Sequence, residues 1–265
     1  MTAPDTIVLI HGLWMTPLSW EHWIDRYTRQ GYRVLAPSWP GLEGGVEALR
    51  RDPSPLAGLG VAQVADHYER IISDLPTRPI IMGHSFGGLL TQLMLDRGLG
   101  AAGVAIHSGQ VRGVYRLPFT QLKAASPVLG NPANRNRAVP FTHEQFHYAF
   151  TNTLSAQRSR EAYDRYHVPA AARMLFQGAF ANLDPRSPLA VDVRRADRAP
   201  LLFVAGGADN IVPASVNRAN HRLYRHSPAL TEYREYPGRS HFTVGQDGWE
   251  EVADHALAWA AAHAR

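Results

Sequence analysis

Short apolar runs alternate along the chain with longer segments in which apolar residues recur at helical spacing. The short runs predict six strands, at residues 6–10, 33–36, 80–82, 103–107, 201–205 and 231–236. The longer segments predict helices at residues 20–30, 61–75 and 249–262, and another that follows Ser85 and ends near Gly98. Strands that alternate with helices indicate a mainly parallel sheet covered by helices on both faces.

Two regions break this alternation. Residues 39–60 are rich in proline and glycine, which predicts a loop. Residues 111–139 are turn-rich, and residues 141–181 predict two or three helices with no strand between them. We therefore expect an insertion on an α/β core, placed where it covers the carboxyl ends of the strands.

Composition narrows the class of protein. The 265 residues include no cysteine, which excludes a disulfide framework, a thiol nucleophile and a cysteine-ligated metal. The formal charge is +4, but residues 110–183 carry nine basic side chains against three acidic ones. No basic stripe interleaved with aromatic residues predicts a nucleic-acid partner, and no apolar run approaches membrane-spanning length. The first residues carry no basic and apolar leader, so we expect a cytoplasmic protein.

The run from Ile80 to Gly88 contains Gly-x-Ser-x-Gly between a predicted strand and a predicted helix. A serine at such a sharp turn occupies strained backbone, and the flanking Gly83 and Gly87 remove Cβ atoms that would clash. The Ser85 hydroxyl would then lie at a helix N-terminus, which favours developing negative charge. The alternative for this segment alone is a glycine-rich turn with an incidental serine.

A nucleophilic serine needs a base, and the base needs an orienting acid. Asp209 follows the predicted strand at 201–205, and His241 follows the strand at 231–236. Loops at one edge of a parallel sheet converge, and the order Ser85, Asp209, His241 is the order expected for this architecture. Asp209 has an alternative interpretation as a turn former, because Asp-Asn favours turns.

An oxyanion hole needs two backbone N–H groups. Phe86, directly after the serine, is one candidate donor. The loop after the first strand supplies the other, with Leu13 preferred over Trp14.

These segments, which span nearly the whole chain, resemble the α/β-hydrolase superfamily of serine hydrolases. The similarity lies in residues 11–14, 83–88, 206–213 and 238–242. It implies a hydrolase core at residues 1–109 and 198–265, a mainly helical cap (lid) at residues 110–197, and a mostly parallel sheet of about six strands. The first antiparallel hairpin usual in the superfamily is missing, which indicates a compact member.

A competing motif lies in the predicted cap. His143-Glu144-Gln145-Phe146-His147 matches the zinc-protease pattern H-E-x-x-H. However, Thr142 and Gln145 form a capping-box pattern that places both histidines in the first turns of a helix. Catalytic zinc also needs a third protein ligand, and the sequence indicates none.

We therefore expect a serine hydrolase that cleaves a carboxylic ester or lactone through an acyl-enzyme, without a cofactor or metal. The expected partner is a small ester-type molecule, and the expected assembly is a monomer or homodimer. Alternatives are thioester or carbon–carbon bond hydrolysis by the same triad, and a non-catalytic ligand-binding homologue; His84 weakens the carbon–carbon option, because that family pattern usually has asparagine there. Candidate pocket residues are Trp14, His107, Phe146, Phe150 and Phe242.

Overall fold

The computed structural model describes residues 4–265. Within them the chain forms eight strands: β1 (Thr6–Ile10), β2 (Arg33–Leu35), β3 (Ile80–His84), β4 (Ala102–Ile106), β5 (Ala138–Val139), β6 (Ala170–Ala171), β7 (Leu201–Gly206) and β8 (Thr231–Tyr236). The helices are α1 (Glu21–Arg29), α2 (Gly45–Arg51), α3 (Val61–Ser73), α4 (Phe86–Asp96), α5 (Phe119–Leu129), α6 (His143–Ala149), α7 (Ala156–Tyr166), α8 (Ala172–Ala179), α9 (Ala214–Leu223) and α10 (Trp249–His263).

Six strands form one sheet in the order β2-β1-β3-β4-β7-β8, and every neighbouring pair is parallel. All residues of β1, β3, β4 and β7 are buried, as expected for strands covered on both faces. β8 alternates between exposed and half-buried positions over most of its length, which fits an edge strand. The predicted α/β-hydrolase fold with six core strands is confirmed.

Helices cover both faces of this sheet. On one face α1 packs on α10, where the Tyr27 hydroxyl donates to the Ala253 carbonyl at 2.8 Å. On the other face α4 contacts α3, and the Tyr224 hydroxyl after α9 donates to Gln92 of α4 at 3.0 Å. The parallel strands therefore direct their carboxyl ends to one common edge, where the loops after β1, β3, β4, β7 and β8 meet.

The predicted loop at residues 39–60 is wrong in part, because α2 lies within it. This helix has seven residues, and hydrogen bonds to the cap stabilise it. Arg50 donates to the His167 carbonyl at 2.9 Å and to the Tyr163 carbonyl at 2.8 Å. Helix α9 was not predicted from the sequence either.

Two further expectations for the region between β4 and β7 need correction. The turn-rich segment 111–139 contains α5, which accommodates Pro127 because the Ser126 hydroxyl donates to the Lys123 carbonyl that the proline leaves without its usual partner. The segment 141–181 contains three helices but also strand β6, which pairs with β5 in a short antiparallel sheet. We keep the name cap for residues 110–197; these limits stay a prediction.

Ion pairs and hydrogen bonds join the cap to the core. Arg165 of α7 donates from Nε to Glu21 at 2.7 Å, and Arg158 donates to Asp247 at 2.7 Å. Part of the positive charge of the cap therefore faces acidic residues of the core. Within residues 4–265, no helix combines the length and the apolar character needed to cross a bilayer.

Candidate active site

Ser85 lies between β3 and α4 in a backbone conformation that few residues adopt, with φ +58° and ψ −119°. Close packing of the chain on either side explains the flanking glycines. A Cβ added to Gly83 would lie 2.0 Å from the Gly87 carbonyl oxygen, and one added to Gly87 would lie 2.0 Å from the Ile10 oxygen. The Ser85 amide donates to the Ile106 carbonyl at 2.9 Å, which fixes the turn to β4.

Ser85, His241 and Asp209 lie in one hydrogen-bonded chain. The Ser85 Oγ is 2.8 Å from His241 Nε2, and His241 Nδ1 is 2.6 Å from Asp209 Oδ2. His241 and Asp209 are 0 % and 4 % exposed, and Ser85 is 8 % exposed. Three separate loops, of which the one carrying Ser85 is more than a hundred residues from the other two, therefore bring a hydroxyl, an imidazole and a carboxylate together.

The Asp209 carboxylate is held in its ionised form. Burial by itself would raise its pKa, but the nearby His241 and the hydrogen bonds from His107 and His241 outweigh burial and lower the pKa below the usual value. Its other oxygen, Oδ1, accepts the backbone N–H groups of Ile211 at 2.9 Å and Val212 at 2.7 Å. Because an ionised carboxylate only accepts hydrogen bonds, His241 carries its proton on Nδ1 and offers the Nε2 lone pair to Ser85.

The two predicted oxyanion donors flank Ser85. Phe86 is the first residue of α4, and Gly12, which precedes Leu13, lies against Ser85: a Cβ added to Gly12 would be 2.7 Å from the Ser85 Cβ. Among the described residues, neither the Leu13 nor the Phe86 N–H donates to a protein acceptor. Both amides therefore stay available to a ligand oxygen.

Backbone strain concentrates at this edge of the sheet. Within residues 4–265, the non-glycine residues with positive φ are Trp14, Ser85 and His107, which follow β1, β3 and β4. Such conformations persist only where the surroundings enforce them, and they cluster at functional sites. Here the three strained residues lie in the loops after three adjacent strands.

The cap contributes an aromatic wall above His241. The Phe150 ring meets the His241 ring edge-on at 4.7 Å, and Phe146 stacks on Phe150 at 4.9 Å. Trp14 stacks on Phe141 of the cap at 4.1 Å, and the Phe242 amide donates to the Phe150 carbonyl at 2.9 Å. Of the predicted pocket residues, Phe150 therefore contacts His241 directly, while Phe146 lies behind Phe150.

Two asparagines to which the sequence analysis gave no role in binding the cap join the cap to the loop that carries Asp209. Asn152 donates to the Ala208 carbonyl at 2.9 Å, and Asn210 donates to the Tyr148 carbonyl at 2.9 Å. Asn152 stands in no recognisable motif, and the motif that contains Asn210 does not predict its contact with the cap, so only the folded chain reveals this connection.

His107, another of the predicted pocket residues, lies against Asp209. This residue is 0 % exposed, and its Nδ1 lies 2.8 Å from Asp209 Oδ2. Its backbone, directly after β4, is left-handed with φ +47°. Asp209 Oδ2 is therefore shared by two imidazoles.

Within the described part of the chain, one group has metal-ligand spacing: His84, His107 and His241. Both ring nitrogens of His241 and Nδ1 of His107 already bond to Ser85 and Asp209, and His84 Nε2 lies 2.7 Å from the His241 carbonyl oxygen. A metal ion would have to displace these hydrogen bonds. The arrangement fits a hydrogen-bonded network better than a metal centre.

The H-E-x-x-H motif in α6 has other hydrogen-bond partners. The predicted capping box is present: the Gln145 amide donates to Thr142 Oγ1, and Gln145 Oε1 accepts from the Thr142 amide. His143 Nε2 is 3.3 Å from Ser159 Oγ. Within residues 4–265, no third ligand completes a metal group with His143 and His147.

Comparison with known proteins identifies the family. A sequence model of the protein family described as "Alpha/beta hydrolase family" matches residues 7–255. The chain belongs to the alpha/beta hydrolase family. This confirms the resemblance inferred from the four motif segments.

Several solved structures share the fold of this alpha/beta hydrolase family member. A monoacylglycerol lipase from Paleococcus ferrophilus superposes with a TM-score of 0.68 at 21 % identity, covering 100 % of this chain and 97 % of its own. A methylesterase from Arabidopsis gives 0.66 at 14 % identity, with 96 % and 98 % covered. A pyrethroid hydrolase from Sphingobium faniae gives 0.66 at 17 % identity, with 97 % of each chain covered. No curated protein matches this sequence.

Proposed function

We propose that this protein is a serine hydrolase that cleaves a carboxylic ester or lactone. The observation that carries the proposal is the buried chain of contacts from Ser85 Oγ through His241 to Asp209, at 2.8 and 2.6 Å. This combination of nucleophile, base and orienting acid is suited to acyl transfer. The structural neighbours include a monoacylglycerol lipase and a methylesterase, which is consistent with an ester substrate.

In the first half of the reaction, Ser85 Oγ attacks the substrate carbonyl carbon while its proton passes to His241 Nε2. The carbonyl oxygen becomes an oxyanion that accepts hydrogen bonds from the Leu13 and Phe86 amides. Asp209 keeps the proton of His241 on Nδ1 and stabilises the imidazolium. The tetrahedral intermediate collapses, the bond to the leaving oxygen breaks, and His241 gives that oxygen its proton.

In the second half, a water molecule takes the place of the leaving alcohol. His241 accepts a proton from the water as its oxygen attacks the acyl carbon. A second tetrahedral intermediate then expels Ser85 Oγ, which recovers its proton from His241, and the acid is released. The Phe150 ring beside His241 favours an apolar group near the reacting carbon.

A fluorophosphonate probe tests the nucleophile directly. We expect the wild-type protein to be labelled and Ser85→Ala to stay unlabelled. Ser108 provides a matched control, because it is a buried serine after the adjacent strand whose hydroxyl donates to the Gly109 carbonyl. Ser108→Ala should be labelled like the wild type. Folded wild-type protein that resists the probe would instead indicate a non-catalytic ligand-binding homologue.

An ester panel that varies acyl length and charge tests the substrate class. We expect turnover of uncharged esters with an apolar acyl group, and no turnover by Ser85→Ala. Selective turnover of anionic esters would give the basic residues of the cap a role in binding. Thioesters in the same panel distinguish oxygen from sulfur leaving groups.

A further inference from the structure

The acid of the proposed triad has a second histidine partner with no part in the proton transfers described above. We propose that His107 is a positioning residue, which donates its Nδ1–H to Asp209 Oδ2, fixes the carboxylate toward His241 and limits how strongly that carboxylate attracts a proton onto His241. This inference rests on the proposed serine-hydrolase function.

The geometry around Asp209 gives the carboxylate four donors. Oδ2 accepts from His241 Nδ1 at 2.6 Å and from His107 Nδ1 at 2.8 Å, while Oδ1 accepts from the Ile211 and Val212 amides. A carboxylate offers about four lone-pair positions, so this set nearly saturates it. With three of the four donors outside the proton-transfer chain, Asp209 has little freedom to rotate.

The fold makes room for the His107 ring at this place. A Cβ on Gly206, the last residue of β7, would lie 2.3 Å from His107 Cε1 and 3.0 Å from His107 Nε2. The backbone of His107 is anchored as well, because its amide donates to the Val204 carbonyl at 2.7 Å. The imidazole therefore occupies a fitted space between β4, β7 and the loop after β8.

His107 acts as a neutral donor and not as a second base. Its Nε2 is buried and has no hydrogen-bond partner among the described residues, so a proton there would be an unpaired buried donor. The titratable groups that face the ring are Asp209, His241, His84 and Arg239. Burial lowers the pKa of His107, although the hydrogen bond with Asp209 opposes this shift.

This arrangement has a specific consequence for the reaction. When His241 takes the proton of Ser85, the imidazolium is stabilised by a carboxylate whose negative charge is already partly neutralised by the His107 N–H. Without that N–H, Asp209 attracts the proton onto His241 more strongly, so the activity of such a variant should decline at a higher pH than that of the wild type. The carboxylate also gains freedom to turn, which lowers kcat.

Two variants separate the hydrogen bond from the shape of the side chain. Asn tolerates the left-handed backbone at position 107 and offers an amide N–H near the place of Nδ1, whereas Leu offers none. For His107→Leu we expect kcat to fall by roughly tenfold or more, with KM nearly unchanged. We also expect the acidic limb of the kcat/KM profile to move up by roughly half a pH unit. His107→Asn should restore the wild-type limb and most of kcat.

A double-mutant cycle tests whether His107 acts through Asp209. In an Asp209→Asn background, adding His107→Leu should lower kcat by less than about twofold, because the coupled partner is already lost. An equal loss in both backgrounds, or an unshifted acidic limb in His107→Leu, would overturn the inference and leave the proposed function intact. Activity that survives Ser85→Ala would overturn the proposed function itself.

Nitrogen-15 NMR of the histidine-labelled wild-type protein gives a readout independent of activity. We expect His107 to show the neutral Nδ1–H tautomer at neutral pH, with its signals assigned by their loss in His107→Asn. A neutral Nε2–H tautomer would contradict the hydrogen bond and overturn the inference, whether or not Ser85 is the nucleophile.

Discussion

Histidines occur together in two places in this molecule, and the two groups have different partners. At the carboxyl edge of the core sheet, His107 and His241 come from distant loops and share one carboxylate oxygen of Asp209. In α6 of the cap, His143 and His147 are one helical turn apart, with ring centroids 6.4 Å apart, and His143 contacts the hydroxyl of Ser159. Short spacing in the sequence brings two rings together, but only the converging loops supply a buried carboxylate.

The chemistry follows from this difference. A buried carboxylate orients an imidazole and stabilises it when it becomes protonated, which a serine hydroxyl does not do. In α6 the acidic residue of the motif, Glu144, is exposed and stabilises the helix N-terminus instead. Under the proposed function, acid–base chemistry therefore belongs to the core edge, whereas the motif in the cap caps its own helix.

Replacing the acidic residue of each histidine group by its amide should give the largest difference in kcat between the two regions. Asp209→Asn should lower kcat by about 10³- to 10⁴-fold, because an amide does not stabilise the imidazolium and favours the wrong tautomer of His241. Glu144→Gln, the matched change in the cap, should leave kcat within about twofold of the wild type, because this side chain is exposed at a helix N-terminus. Steady-state kinetics on one ester measures both, and a large loss in Glu144→Gln would move the chemistry to the cap.

Backbone packing provides the next test. A Cβ at Gly83 would lie 2.0 Å from the Gly87 oxygen, so Gly83→Ala should lower the free energy of unfolding by about 3 kcal/mol or more. In the cap, Gly178 of α8 has its nearest atom, Phe86 Cε2, at an ordinary 3.8 Å. Gly178→Ala should raise stability by up to about 1 kcal/mol, because alanine favours a helix interior.

Urea unfolding measures both glycine variants. A Gly83→Ala protein as stable as the wild type would show that the tight turn at Ser85 has room to relax. If Gly83→Ala cannot be purified in folded form while Gly178→Ala can, the steric argument is supported without a fitted free energy.

The core of the molecule was largely predictable because its signals are local. Continuous apolar runs gave the parallel strands nearly to the residue, and the glycines around Ser85 reflect clashes within one short segment. Asp209 and His241 were predictable as well, because each follows a parallel strand that ends at the same edge of the sheet as Ser85. These features depend on rules that act over a few residues or on the topology of a parallel sheet.

The cap and the second partner of Asp209 were not predictable in the same way. Helix α2 depends on hydrogen bonds from Arg50 to the end of α7, and β5 pairs with β6 across more than thirty residues. His107 contacts Asp209 across 102 residues of sequence, from a left-handed backbone position after β4. Such contacts carry no periodicity or motif, since their partners are fixed by tertiary packing.

The free energy of unfolding should fall in acid because of both the core edge and the cap, since each region contains a histidine that burial keeps neutral. Burial lowers the pKa of His11, beside the oxyanion loop, to about 4, and that of His167, in the cap, to about 3. The unfolded chain binds these protons below about pH 6.5 and the folded chain does not. The contribution of these histidines to the free energy of unfolding is therefore largest above that pH. At pH 5, each of them should have lowered the free energy of unfolding by about 2 kcal/mol.

Urea unfolding at several pH values between 7 and 5 measures this slope. His11→Asn and His167→Leu should each flatten it, whereas His226→Asn, at an exposed position, should leave it unchanged. An identical slope in all four proteins would show that these two rings become protonated in the folded state as well.

The cap motif itself gives the smallest expected effect. His143 Nε2 contacts Ser159 Oγ, which in turn lies 2.7 Å from Thr151 Oγ1, so His143→Ala removes one side-chain hydrogen bond. We expect the free energy of unfolding to fall by about 1 kcal/mol and kcat to stay within about twofold of the wild type. Treatment with EDTA should change neither quantity. Activity that EDTA abolishes and zinc restores, and that His143→Ala also abolishes, would instead make the α6 histidines metal ligands and reverse the roles of the two histidine groups.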